Sequence, residues 1–383
     1  MDFDLSEEQG LLQDSVARLL GDKYGFESRK AYLKAERGWS EEVWAAYAEL
    51  GLLGLPFAEA EGGFGGGAVE TMLVAEQMGR AITLEPWFST VVLGGGFLRH
   101  GASAEQRAAL VPGITAGELK LAFAQTERQA RYDLFDIAST AKKDGSGWVL
   151  NARKGMVLHG DTADKLIVSA RTAGGQRDKG GIGLFLVDGN APGVTRRGFR
   201  MVDGQRAAEV HLADVRVGPE AVLGNPEGGL AVIDRVVDEA IAALAAEAVG
   251  AMDVAHNMTL DYMKTRQQFG RPIGSFQALQ HRAADMLVAL EQSRSMAYFA
   301  TMSAQEDDAL ARRRAMHSVK VQIGRASRFV GQQSIQLHGG IAMTMEYAVG
   351  HYFKRLTTND AMFGDADYHV RALSDMGGLV QAA

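Results

Sequence analysis

Apolar residues return every three or four positions over the first third of the chain, and the leading stretches open on residues able to cap a helix. Ser6 stands three residues before Gln9, the spacing of a capping box, and Leu11, Leu12, Val16, Leu19 and Leu20 then recur at helical spacing. "SEEVWAAYAELGLLGL" starts with Ser40 as N-cap and stops at Gly51, and "AVETMLVAEQMGRAI" carries a further apolar stripe. Helix is therefore expected up to about residue 118. It is broken by "EGGFGGG", whose glycines lack the Gly-Lys-Ser/Thr ending of a phosphate loop.

From "LKLAFAQ" to about residue 225 the pattern becomes one of short apolar runs between Gly and Asp turns: "GWVLNARKGMVLHG", "KLIVSART", "IGLFLVD" and "AAEVHLADVRV". Helical periodicity then returns in "AIAALAAEAVGAMDVAHNMTLDYMKTRQQF", "FQALQHRAADMLVALEQSRSMAYFATMSA" and "ARRRAMHSVKVQIGRASRFVGQQSIQLHG", each long enough for a bundle. The order helices, strands, helices predicts an α+β chain. Its expected parts are a helical domain over 1–118, a middle β-barrel or sandwich domain over 119–228 and a C-terminal four-helix bundle over 229–383. Strands do not alternate with helices, so a doubly wound sheet is excluded.

Composition narrows the function classes. The 383 residues are 46% hydrophobic and 23% charged, a globular balance with material for more than one core. Having no cysteine, the chain forms no disulfide, thiolate metal site or cysteine nucleophile. A net charge of -7 without a basic block argues against a nucleic-acid partner. No apolar run has the length of a membrane span, and "MDFDLSEEQG" is acidic where a secretory leader needs a basic flank, so a cytoplasmic protein with no membrane association is expected.

Near the C-terminus, "DAMFGDADYHV" concentrates Asp360, Asp365, Asp367 and His369. On a helix Asp365 and His369 share a face that Asp367 leaves, which favours carboxylates capping the helix "DADYHVRALSDM" over a metal site, and no metal is expected.

Two further stretches, "RQQFGRPIGSFQALQHRAADM" and "QLHGGIAMTMEYAVGHYFKRL", together with "AFAQTERQARYD", resemble the acyl-CoA dehydrogenase family, and the resemblance covers nearly the whole chain. It implies FAD between the middle and C-terminal parts. It also implies an acyl-CoA substrate oxidised to the 2-enoyl thioester, and electron-transferring flavoprotein as acceptor. Cofactor contacts are implied at Phe123, Gln125, Thr126, Tyr132, Met156, Leu158, Phe276, Gln277 and Asp365. Arg266, Phe269, Gln336, Gly339 and Gly340 stand where the family reaches the FAD of a neighbouring subunit, so an oligomer follows. The chemistry of these types is suitable: an arginine offers a fixed fork of donors to a pyrophosphate, and paired glycines let backbone N–H groups approach an anion. In the flavin loop, the family's Pro-Gly-Ala-Gly-Ser is replaced by Arg128-Gln129-Ala130-Arg131-Tyr132.

Acyl-CoA dehydrogenation needs a carboxylate to take the α-proton. The family's Tyr-Glu-Gly-Thr falls on Met362-Phe363-Gly364-Asp365, so Phe363 occupies the glutamate position. Relatives such as isovaleryl-CoA dehydrogenase carry the base on the preceding long helix, at the position of Ala240. Its neighbour Glu239 points about 100° away, and Glu247 lies on nearly the same face roughly 10 Å further along. Glu247, in the apolar "AIAALAAEAVGAM", is the candidate base, with a hydrogen-bonded structural role as the competing reading. The overall pattern resembles the pimeloyl-CoA dehydrogenase small subunit and related two-chain members, which leaves three arrangements open: activity as a homo-oligomer, activity in an α2β2 assembly, or a catalytically silent FAD-binding or structural subunit.

Overall fold

In the computed structural model, which describes residues 5–377, the capping signals are met where the sequence places them. Ser6 Oγ accepts from the Gln9 backbone and the Gln9 side chain returns the bond, opening α1 (Glu7–Lys23). After α2 (Phe26–Lys34), Ser40 caps α3 (Glu41–Glu49) by accepting from Val43 N–H. The helices α4 (Ala68–Ala81), α5 (Gly95–Gly101) and α6 (Ala104–Thr115) follow.

The chain forms two compact units. One combines Ala31–Gly67 with Leu84–Ala240, and its centre is a seven-stranded sheet. The strands are β1 (Leu121–Ala124), β2 (Thr140–Asp144), β3 (Gly147–Leu158), β4 (Lys165–Arg171), β5 (Ile182–Asp188), β6 (Val194–Arg200) and β7 (Arg206–Val217). They run in the order β1-β4-β2-β3-β7-β6, with β5 as a third neighbour of β4. Phe185, Leu166, Val168, Leu150, Val210 and Leu212 fill the core of this sheet. A fully buried π-helical segment, Phe88–Gly94, packs on its edge; a Cβ at Gly94 would lie 2.5 Å from that of Leu121, so glycine permits the approach. The segment lies within the stretch expected to be helical; its π form has no signal in the apolar pattern.

Among the described residues, the other unit takes in 5–30, Ala68–Thr83 and 241–377. The three long segments become α7 (Gly229–Thr265), α8 (Gln277–Ser303) and α9 (Ala309–His338), joined by α10 (Val349–Ala361) and α11 (Ala366–Asp375). Between α7 and α8, β8 (Gln267–Gln268) and β9 (Arg271–Pro272) make a short hairpin. α4 and α7 touch backbone to backbone: a Cβ at Gly79 would fall 1.9 Å from the Glu247 carbonyl oxygen, and one at Gly250 2.0 Å from that of Glu76. That contact fixes the height of Glu247 in its helix.

Candidate functional site

In the sheet unit, the loop after β1 is anchored by a buried charge. Lys154 Nζ, on β3, donates to Glu127 Oε1 at 2.7 Å, to Ser169 Oγ at 3.1 Å and to the Gln125 carbonyl at 3.3 Å. Glu127 also accepts from the backbone N–H groups of Ala138 and Ser139. Burial pulls Lys154 below its ordinary value, and against the burial that would raise it the ammonium holds the Glu127 carboxyl below the usual range. At 2.7 Å the two groups form a buried ion pair, which ties Gln125 and Thr126 to β3 and β4.

Just beyond Lys154, β3 is bulged: its register with β7 shifts between Lys154 and Val157, Gly155 N–H donates to the Thr126 carbonyl at 2.9 Å, and Met156 takes a positive φ of 49°. The bulge turns Met156 outward, 53% exposed, while Leu158 and Tyr132 are half-buried and Phe123 stays buried against Phe97 with ring centroids 4.3 Å apart. Thr126, Gly155 and Met156 thus meet where the loop after β1 reaches the bulge of β3. Arg128 and Arg131 beside them are exposed.

In the helical unit, the expected neighbour-directed residues lie on the surface. Phe269, at the tip of the hairpin, is 91% exposed, and Arg266, Gln277, Gln336, Gly339 and Gly340 are exposed as well. Phe269 meets the half-buried Phe276 edge-on at 6.1 Å, and the Arg271 guanidinium stacks 4.2 Å from the Phe276 ring. Gly339 needs glycine for its φ of 67°, but Gly340 has no positive φ and no atom within 4 Å of where a Cβ would stand. Nothing within the described fold requires glycine at 340. A ligand backed closely onto the peptide would. An exposed arginine fork, an exposed ring and a bare peptide suit a dinucleotide pyrophosphate.

The turn 362–365 is built as a helix entry. Asp365 Oδ1 accepts from Tyr368 N–H at 2.8 Å and caps α11, as its spacing predicts. Phe363 has a φ of 56° and Gly364 one of 113°. Behind them His369 Nε2 lies 3.1 Å from the Phe363 carbonyl oxygen, and His369 Nδ1 lies 2.7 Å from His317 Nδ1.

The carboxylates considered as bases are committed to cations. Glu247, expected as the candidate base, accepts from Arg355 Nη1 at 2.7 Å, with side-chain exposures of 9% and 1%; Arg355 Nη2 donates to the Thr83 carbonyl at 2.7 Å. Sequence reading missed this partner because it stands 108 residues away on another helix. Glu239 is gripped by Arg99 and His100, both at 2.7 Å, and by Arg235 at 3.2 Å. Burial raises its carboxyl, but the His100 hydrogen bond and the Arg99 charge outweigh that and hold it near 2.

Profiles of the acyl-CoA dehydrogenase N-terminal, middle and C-terminal domains match residues 6–118, 122–215 and 227–376. The chain belongs to the acyl-CoA dehydrogenase family. It is 31% identical to acyl-CoA dehydrogenase FadE12 of Mycobacterium tuberculosis over 351 residues, 90% of this chain and 89% of that protein. It is 29% identical to the probable acyl-CoA dehydrogenase YngJ of Bacillus subtilis over 91% and 92% of the two chains. Among solved structures it is similar to a Tcur3481-Tcur3483 steroid ACAD variant, with a TM-score of 0.87, 31% identity and 97% of each chain covered. Among the described residues of this family member, no helix is long and apolar enough to cross a membrane.

Proposed function

We propose that this chain is one subunit of a FAD-dependent acyl-CoA dehydrogenase, forming a 2-enoyl thioester, and that a second chain of the same family supplies the base its own sequence lacks. The observation carrying this reading is the fate of the carboxylates: Phe363 stands at the usual glutamate position, Glu247 and Glu239 are in ion pairs, and Asp365 caps a helix. A carboxylate already bound by an arginine must break that contact before it can turn to a substrate α-carbon.

Bound FAD supplies the acceptor for the β-hydride. The chain's own contributions are positional. The bulge at Gly155 presents Met156 as an apolar surface for a flavin ring, and the Lys154–Glu127 pair fixes Thr126, whose hydroxyl and backbone are the donors available there in place of the Leu158 side chain. Phe123, Gln125, Tyr132 and Asp365 complete the residues proposed to hold this chain's cofactor. Arg266, Phe269, Phe276, Gln277, Gln336 and the Gly339–Gly340 peptide are proposed to reach FAD bound by a neighbouring chain.

The steroid ACAD to which the chain is similar is named for two components, Tcur3481 and Tcur3483, which supports the two-chain arrangement. A second reading draws on the same observation: with Phe363 in place, the chain is a silent subunit that binds FAD or its partner and only scaffolds the site. Electron-transferring flavoprotein is the proposed acceptor and the cytoplasm the proposed compartment.

Light scattering with flavin quantitation on the purified chain tests the assembly. At least two chains and about one FAD per two-chain site are expected; a monomer that saturates with FAD overturns the reading.

A further inference from the structure

We propose that His369 and His317 are positioning residues for the Phe363–Gly364 turn, acting as a neutral imidazole pair with fixed tautomers. The assignment follows from what each atom can do. The Phe363 carbonyl only accepts, so His369 Nε2, 3.1 Å away, carries a proton and donates it. A neutral His369 then has a bare lone pair at Nδ1. The contact of 2.7 Å between the two Nδ1 atoms therefore uses the proton of His317.

The alternative, a charged His369 donating from both nitrogens, meets an unfavourable field. His369 is 1% exposed and His317 8%. The groups around them are Arg313 and Lys320 from α9, the Tyr368 ring from α11, and the carboxylates of Asp360 and Asp365, the first taken up by Arg328 at 3.2 Å and the second by the α11 cap. Burial first, and then the charges of Lys320 and Arg313, push His369 down to about 2; burial and Arg313 push His317 down to about 4.

The turn needs such a support. Phe363 holds a left-handed φ that non-glycine residues avoid, and a Cβ at Gly364 would come 2.6 Å from His369 Nε2, so the turn is shaped against the imidazole. On its other side Lys320, 2% exposed, donates to the carbonyls of Asn359 and Asp360 at 2.9 and 3.0 Å and closes the end of α10. Resting on the reading that this turn borders the acyl thioester, the pair sets where the residue at 363 points.

The test labels the histidines of the full chain with nitrogen-15 and reads ring tautomers between pH 5.5 and 8. His369 is expected protonated at Nε2, His317 at Nδ1, and neither charged. His369→Phe is expected to move the Gly364 amide resonance and His369→Gln, which keeps a donor, to restore it. A charged or Nδ1-protonated His369, or a Gly364 resonance unmoved by His369→Phe, overturns the pair irrespective of the reaction. In the assembled enzyme, His369→Phe is expected to slow flavin reduction at least tenfold with KM within twofold, and His369→Gln to recover most of it. The expected tautomers with an unchanged reduction rate would uphold the pair and overturn the placement of the turn at the thioester.

Discussion

Arg355 Nη1 stands 2.7 Å from Glu247 Oε1, joining α10 to the middle of α7 in a setting where both side chains are almost fully buried. The second guanidinium nitrogen holds the Thr83 carbonyl. Glu247 therefore serves the packing of α7, α10 and the end of α4. Removing one partner leaves the other charge buried and alone, whereas replacing both with apolar residues of similar volume removes the desolvation penalty with the attraction. Glu247→Gln is expected to lower stability by about 3–5 kcal/mol, and Glu247→Leu combined with Arg355→Met to recover most of it. Denaturant unfolding of the single and double variants measures the coupling; additive losses would contradict it.

The Lys154–Glu127 pair makes a parallel case in the sheet. Lys154→Met strands a carboxylate that three backbone or side-chain N–H groups hold in place, and loosens the loop bearing Thr126. A loss of about 3–5 kcal/mol is expected. Weaker FAD binding, followed by fluorescence titration, should accompany it. Glu127→Gln should cost less cofactor affinity than Lys154→Met, because the amide keeps an acceptor for the loop N–H groups.

Gly340 separates the needs of the fold from those of a ligand. With open space around the missing Cβ and a short helical backbone over Gly339–Met343, Gly340→Ala should leave the melting temperature of the FAD-free chain within about 2 °C, since surface changes of this kind fall within ±0.5 kcal/mol. FAD affinity in the oligomer is expected to fall about tenfold, roughly 1.4 kcal/mol. Thermal melts read the first and isothermal titration the second; equal affinity would remove the peptide from the cofactor's path.

The local signals were legible and the long-range pairings were not. Ser6 with Gln9, Ser40 and Asp365 cap the helices their spacing predicts, because capping is decided within four residues. The three long apolar-striped segments became α7, α8 and α9 for the same reason. Glu247 read equally well as a base or a structural acid, since nothing near it names Arg355. Lys154 stands 27 residues from Glu127, and His317 stands 52 from His369. Each of these contacts is created by tertiary packing, which periodicity does not encode. The bulge that exposes Met156 is likewise a property of two strands in register, invisible in either alone.

Acid should reveal the histidine pair. Both imidazoles are neutral in the fold and held below the ordinary value of 6.5, His317 at about 4 and His369 at about 2. The unfolded chain takes up these protons as pH falls below 6.5 while the folded chain resists them. Stability from this source is thus fully present above pH 6.5 and is lost as pH drops towards 4 and below. The loss is on the order of 3 kcal/mol by pH 4 for each histidine, about twice that for the pair. Melting temperatures between pH 7 and 4 should show a steep decline that His317→Phe combined with His369→Phe flattens; parallel curves would contradict the placement of these groups.

The most direct test of the central claim is anaerobic mixing of the purified, FAD-loaded chain with a panel of acyl-CoA thioesters, following loss of the oxidised flavin absorbance. The chain alone is expected to keep its flavin oxidised. Reduction should begin when the second family chain is added, or when Phe363→Glu restores a carboxylate at the turn, with some loss of melting temperature for the charge newly buried. Flavin reduction by the chain alone, with no second family chain present, would contradict a base supplied from outside this chain.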